Sequence, residues 1–303
     1  MRNSVIKTIA SSARSNKNIF FITGDAGFGV LDEYQKEFPN RFLNLGIAEQ
    51  NMISFAAGMG IAGYKVFVYN IAPFVLYRCY EQVRNDICYQ KVPVTLIGIG
   101  SGLTYSPQGV THYSVEDIAI ARTLPNLEIL SPSDPMEAEK CADYAIRSKN
   151  PTYIRIAKSG EPLIHKKVPE DITKPIILQK GSGVAVFVHG SVSKEVVGAL
   201  KGLKVLPKVF SIPMIQPLDF QFLAKKLKNI HTLITVEEHY VEGGLGSVIS
   251  EWIVRERLPY KLKKLGIKNE FVHLIKNNDG MREHYGISSG KIQKSIIEAF
   301  KNE

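Results

Sequence analysis

Gly46-Ile47-Ala48-Glu49-Gln50-Asn51-Met52-Ile53-Ser54-Phe55-Ala56-Ala57-Gly58-Met59 joins a turn glycine to an acid and a run of small apolar residues. It follows a β-rich run, Arg41–Leu45, and passes through a glycine into a helix predicted over Ala48–Ala62. The helix is small and apolar on most faces, which predicts burial. Glu49 then stands at the first turn of a buried helix. Two readings of it stay open on these residues. It is a carboxylate favoured by the helix dipole, or a desolvated acid that burial drives toward its protonated form.

The same strand–turn–helix unit recurs on both sides. Further strands are predicted over Asn18–Thr23, Lys65–Tyr69, Pro93–Gly98, Leu127–Ser131 and Thr152–Ile156. Between them, helices are predicted over Pro73–Gln90, Val115–Leu124 and Asp134–Ser148. Asp134-Pro135-Met136-Glu137 starts the last of these with a capping Asp, a proline in the first turn and a Glu three residues later. Near-continuous apolar strands joined by helices imply a parallel sheet covered on both faces. Glu161 to Lys180, with Pro162, Pro169 and Pro175, interrupts the rhythm and reads as a linker. A second set follows, with strands over Val184–His189, Val205–Ile212, His231–Val236 and Glu270–Leu274. Its helices fall at Ser191–Lys201, Asp219–Lys228, Gly243–Glu256 and Ser289–Lys301. The expectation is therefore α/β, with two doubly wound domains over 1–165 and 181–303 and a linker over 166–180. In such sheets ligands bind beyond the carboxyl ends of the strands.

Bulk properties limit the function classes. The 303 residues suit two ordinary domains, and 45% hydrophobic with 22% charged residues is the globular range. No apolar run reaches the ~20 residues that span a bilayer, and Met1–Lys17 is polar rather than signal-like, so a cytoplasmic protein without membrane contact is expected. The net charge of +9 arises wholly after residue 150, where 24 basic residues meet 15 acidic ones. These lysines are scattered, apart from Lys261, Lys263 and Lys264, and no aromatics alternate with them as in a nucleic-acid groove. Cys79, Cys88 and Cys141 lack metal-ligand spacing and read as buried thiols. Gly24-Asp25-Ala26-Gly27-Phe28-Gly29 meets neither nucleotide-binding fingerprint, though its glycines would let backbone approach a ligand.

Taken in order, several segments resemble one family. Gly46–Asn51 with its small-residue helix looks like the pyrimidine-binding domain of transketolases and deoxyxylulose-phosphate synthases. Phe74-Val75-Leu76-Tyr77-Arg78-Cys79-Tyr80-Glu81-Gln82-Val83-Arg84-Asn85-Asp86 is similar to that family's aromatic-plus-Arg helix. Gln108-Gly109-Val110-Thr111-His112 resembles its Thr-His loop, and Leu124-Pro125-Asn126 and Ser131-Pro132-Ser133-Asp134 match as well. Gln216-Pro217-Leu218-Asp219 and Thr235–Gly246 resemble its C-terminal domain. The resemblance implies a pyrimidine-binding domain followed by a smaller transketolase C-terminal-like α/β domain. The family's domain for the cofactor diphosphate and its metal has no counterpart in these motifs.

The resemblance also implies chemistry. The cofactor would be thiamine diphosphate, with Mg2+ or Ca2+ held by a partner and no metal on this chain. Glu49 would hydrogen-bond a nitrogen of the aminopyrimidine ring, favouring the imino tautomer that deprotonates the thiazolium. That bond needs a protonated carboxyl, which burial would supply. Phe74, and after it Tyr77, would hold the pyrimidine ring. Arg78 would orient Glu49 or a neighbouring subunit, or pair with Glu81 or Glu49. Asp25 would lie near the cofactor. His112 would contact a ketose donor and move protons at its hydroxyls. Lys158, where the family often has Arg, would reach a sugar phosphate as a point charge. Gln108 stands where transketolases carry Asp against a substrate hydroxyl.

The function implied is the C-terminal subunit of a two-subunit transketolase, moving a two-carbon ketol unit between sugar phosphates. Its partner would be a diphosphate-binding N-terminal subunit, and self-association would give a homodimer inside a heterotetramer. The Gln108 and Lys158 departures keep a second class open: the β subunit of a 2-oxo acid dehydrogenase, or a deoxyxylulose-phosphate-synthase-like enzyme. A third is a non-catalytic scaffold, against which Glu49 and His112 argue. Glu237-Glu238-His239 reads as structural or as interface.

Overall fold

The computed structural model describes residues 1–158 and 160–301. The first half runs α1 Arg2–Ser15, β1 Ile19–Thr23, α2 Asp32–Glu37, β2 Phe42–Asn44, α3 Glu49–Ile61 and β3 Lys65–Ile71. Two π-helical turns, Pro73–Tyr77 and Val83–Cys88, then flank α4, Tyr80–Gln82. β4 Thr95–Ile99, α5 Asp117–Arg122, β5 Glu128–Leu130, α6 Pro135–Arg147 and β6 Thr152–Ile156 complete it. The second half holds β7 Ile176–Gln179, β8 Gly183–Val188, α7 Ser193–Ala199, β9 Lys208–Ser211, β10 Met214–Gln216 and α8 Phe220–Lys226. β11 Ile230–Tyr240, α9 Leu245–Glu256, β12 Lys261–Ile267, α10 Asn278–His284 and α11 Ser289–Lys301 follow.

Two sheets result, with strand orders β10-β5-β6-β4-β3-β1-β2 and β12-β11-β8-β9-β7. Both are parallel except for one antiparallel edge strand each, β10 on β5 and β7 on β9. The expected pair of doubly wound, mostly parallel α/β domains is present. Thr23, Asn44, Ile71, Ile99 and Ile156 therefore end strands on one edge of the first sheet. One apolar core crosses the seam, joining Met52, Ile87 and Tyr153 to Phe187, Phe210 and Trp252. β10 lies late in the chain yet pairs with the first sheet. No described helix is long and apolar enough to cross a membrane.

Some expectations differ from the structure. Met1–Lys17 is polar overall, yet forms α1 because Val5, Ile6, Ile9 and Ala13 share one buried face. Glu270–Leu274 is not a strand. The sheet edge is instead Lys261–Ile267, whose lysines suit an exposed edge, while Val272 turns into a small core of its own. The segment expected as linker ends in a strand, β7. Before it, Asp134 both caps α6, accepting from the Met136 and Glu137 amides, and pins the crossing chain at the Ile164 and His165 amides. α3 is not buried all round: Gln50, Asn51, Ser54, Phe55, Gly58 and Ile61 are exposed. Cys79, Cys88 and Cys141 are buried free thiols.

Candidate active site

The carboxyl edge of the first sheet gathers its polar groups loop by loop. After β2 the chain turns at Gly46, whose φ of 69° is the left-handed conformation that suits glycine, and enters α3 at Glu49. Asn44 ties this turn to the one after β1, since its Oδ1 accepts from the amides of both Asp25 and Gly46. Glu49 is 4% exposed. Its Oε1 accepts from Arg78 Nη1 at 2.8 Å, and Oε2 has no hydrogen bond among the described residues.

Arg78 comes from the π-helical turn that follows β3. The wide turn bonds the Arg78 amide to the Pro73 carbonyl and keeps Phe74 and Arg78 adjacent. The guanidinium carbon lies 4.3 Å from the Phe74 ring centroid. The other neighbour of Phe74 is His112, edge to face at 5.4 Å. Thr111 Oγ1 engages His112 Nδ1 at 2.7 Å, leaving Nε2 without a partner among the described residues. Tyr105 stands edge-on to His112 at 6.5 Å, and Lys158 Nζ lies 5.7 Å from the Tyr105 ring. An unbroken line of contacts thus runs from Glu49 through Arg78, Phe74, His112 and Tyr105 to Lys158.

Gln108 and Lys158 are exposed on the loops that frame this line. Tyr77 is not part of it. Its ring packs into the core and its hydroxyl meets Ser114 Oγ at 2.9 Å, with burial pushing the phenol well up. Asp25 is exposed, at a φ of 52°; its amide is held by Asn44, and its side chain makes no hydrogen bond or ion pair among the described residues. Of the two partners open to Arg78, Glu49 is the one it takes.

Tyr105, Asn44 and Arg2 stand near this edge without belonging to any motif of the sequence. Arg2 Nε is buried without a hydrogen-bond partner among the described residues. Burial pushes the Tyr69 phenol up, and the Arg2 charge beside it works the other way. The Arg2 charge also opposes the burial that raises the Tyr105 phenol. Only the position of Asn44 at a strand end hinted at its role; Arg2 and Tyr105 meet through the fold alone.

The Glu237-Glu238-His239 run lies at the seam rather than at this edge. Glu237 caps α9, accepting from the Leu245 and Gly246 amides. Glu238 takes Arg282 Nε at 2.6 Å, and His239 Nε2 accepts from the Ala119 amide. No cluster of His, Cys, Asp and Glu among the described residues could hold a metal ion.

Comparison with known proteins fits this arrangement. Residues 1–161 match the family model "Transketolase, pyrimidine binding domain", and residues 174–292 match "Transketolase, C-terminal domain". An apulose-4-phosphate transketolase subunit of Actinobacillus succinogenes is 34% identical over 96% of this chain and 96% of its own length. A putative transketolase C-terminal section of Methanocaldococcus jannaschii is 31% identical over 100% of this chain and 97% of its own. A 1-deoxy-D-xylulose-5-phosphate synthase of Caldanaerobacter subterraneus is 32% identical, but the chain spans only 48% of it. Among solved structures, one named "Split gene transketolase, inactive beta4 tetramer" superposes with a TM-score of 0.88 at 27% identity, covering 99% of this chain and 97% of that one. A Pichia stipitis transketolase superposes at 0.83 with 18% identity over 99% of this chain and 46% of its own, which shows the shared fold.

Proposed function

The chain belongs to the transketolase family, with that family's pyrimidine-binding and C-terminal domains, and from this premise we propose that it is the C-terminal subunit of a two-subunit transketolase. In this reading it moves a two-carbon ketol unit between sugar phosphates, with thiamine diphosphate seated between this chain and a diphosphate-binding partner. The observation that carries the proposal is the line from Glu49 to His112. It sets a buried acid, a half-buried aromatic ring and a histidine with one free nitrogen side by side on the carboxyl edge.

These residues fit the pyrimidine half of the cofactor. Phe74 offers the aromatic surface. Glu49 offers Oε2 to a ring nitrogen, while Arg78 holds Oε1 and so fixes the carboxyl plane. When bound, thiamine diphosphate supplies the nucleophilic carbon for breaking the ketose carbon–carbon bond. His112 holds or moves a proton at a donor hydroxyl through Nε2, with Thr111 fixing Nδ1. Lys158 and Arg2 meet the anionic end of the substrate, and Gln108 meets a hydroxyl. The partner supplies the diphosphate site and its Mg2+ or Ca2+.

The surface supports partnership. Phe28 and Ile47, on the turns beside Glu49, are 77% and 78% exposed. On α3, Phe55, Gly58 and Ile61 form an uncovered apolar face. Such patches mark interaction sites. We assign the rim to the diphosphate-binding subunit and the α3 face to a second copy of this chain, giving a homodimer within a heterotetramer.

Reconstitution tests the reading. The chain is mixed with an N-terminal transketolase section, thiamine diphosphate and Mg2+, then offered a ketose phosphate with an aldose acceptor, or pyruvate. Ketol transfer is expected. Pyruvate decarboxylation without ketol transfer would move the chain to the 2-oxo acid class.

A further inference from the structure

His112 rides on a long loop, residues 100–116, between β4 and α5. The contacts of its side chain are few: Thr111, and the rings of Phe74 and Tyr105. The loop is tied to its own domain at Ser101, whose amide donates to the Ile156 carbonyl, and at Ser114, which meets the Tyr77 hydroxyl. Several further contacts lead into the C-terminal domain. Ser106 is buried, and its hydroxyl donates to the Lys276 carbonyl at 2.8 Å across 170 positions of chain. Tyr113 is 1% exposed, and its hydroxyl accepts the Val272 amide proton at 3.2 Å. The Tyr240 amide donates to the Val115 carbonyl at 2.7 Å. Arg155 Nη2 reaches both the Ser114 carbonyl and the Glu238 carbonyl, at 3.2 and 2.8 Å.

Apolar packing follows the same route. Leu103, Tyr113 and Val115 of the loop form one small core with Ile267, Val272 and Met281 of the C-terminal domain. At Gly102 the two backbones come so close that an added Cβ would lie 2.6 Å from the Glu238 Cβ. The segment opposite, residues 268–277, belongs to neither sheet. It contacts the loop at Ser106 and Tyr113, through Lys276 and Val272.

We infer that the C-terminal domain positions His112 in the active site through the segment Val272–Lys276, with Ser106 and Tyr113 as positioning residues on either side of it. They touch neither cofactor nor substrate. They fix the two anchor points of the loop, so that the His112 ring stands on the edge of Phe74 when substrate arrives. Losing part of this alignment costs rate in proportion to how much His112 contributes. The inference rests on the reading of His112 as a substrate-facing group.

Two measurements test it. In the isolated chain, amide hydrogen exchange is compared between wild type and the Ser106→Ala/Tyr113→Phe pair. Faster exchange over residues 103–114, with α3 and Pro73–Tyr77 unchanged, is expected; unchanged exchange over 103–114 would overturn the bracing. In the complex with the diphosphate-binding subunit, the pair should lower kcat/KM for a ketose phosphate about fivefold to tenfold, as for one or two lost hydrogen bonds. Half-saturation by thiamine diphosphate should not move. In a His112→Ala background the same pair should change kcat/KM by less than about twofold, because residues acting as a unit are non-additive. An equal loss in both backgrounds would show that Ser106 and Tyr113 do not act through His112. Near-normal turnover by His112→Ala alone would instead refute the substrate-facing role of His112, with the exchange data still judging the brace. Ser106→Ala alone removes one hydroxyl and no apolar contact, and carries the same test if the pair folds poorly.

Discussion

Glu49 and Arg78 stand 29 positions apart and meet at 2.8 Å. The first was legible because a turn glycine and a small apolar helix frame it. The second was legible as a cation on an aromatic helix, with Glu49 among its expected partners; the choice of Glu49 over Glu81 was not, because the π-helical turn that aims it leaves no pattern in the sequence. Within the same wide turn Tyr77 packs into the core with its hydroxyl on Ser114, while Phe74 lies beside Arg78. Tyr105 and Arg2 escaped for a different reason: each reaches the site from a segment with no motif. Lys158 carries a prediction at this scale. As a point charge toward a phosphate, its replacement in Lys158→Ala should raise KM for a phosphorylated ketose about tenfold and leave a neutral ketose unaffected. Steady-state kinetics on both donors decides it, and equal losses on both would remove Lys158 from the phosphate end.

At the scale of elements, strands with continuous apolar runs were readable, and Phe21, Val68, Ile97 and Ile154 are fully buried on theirs. β12 was not, since Lys261-Leu262-Lys263-Lys264 hides a strand behind its charges and only the neighbouring β11 makes it one. The chain leaving β6 also has an anchor that no local pattern announced. His165 Nδ1 lies 3.0 Å from Asp134 Oδ2, and Nε2 lies 3.0 Å from Glu137 Oε1. Burial disfavours the imidazolium, yet the bond to Asp134 and the Glu137 carboxylate beside Nε2 raise its pKa to about 9. Burial likewise opposes the Asp134 charge, but His165 and the backbone amides lower it to about 2. The folded state thus holds a His165 proton that the unfolded chain, with an ordinary histidine near 6.5, releases earlier. The stabilisation is complete below about pH 6.5 and is lost as pH rises toward 9, on the order of 2–3 kcal/mol in all. Urea unfolding at a series of pH values should show this decline, and His165→Gln should flatten it. A wild-type curve flat from pH 6.5 to 9 would contradict the anchor.

The whole molecule shows most clearly where composition stops informing. The proline-rich stretch suggests where one domain ends, but β10 returns to the first sheet and one core runs through both halves. Such long-range pairing is a property of packing, not of any window of residues. The apolar character of α3 likewise predicts burial, whereas the chain alone leaves Phe55 and Ile61 exposed. In the proposed assembly a second copy of the chain covers these residues. Phe55→Asp/Ile61→Asp should halve the mass of the assembly in light scattering without loss of folded structure by circular dichroism. An unchanged mass would place the α3 face outside the interface.

In the proposed enzyme Glu49 activates a cofactor whose diphosphate another chain holds. The most direct test of this role is the Glu49→Gln variant, which keeps shape and burial but removes the acid. In the complex with the diphosphate-binding subunit, ketol transfer should fall by at least about 100-fold, the scale of a lost proton-transfer group. Assembly mass and melting temperature should stay close to wild type. Near-normal turnover by a folded, assembled Glu49→Gln enzyme would contradict the account.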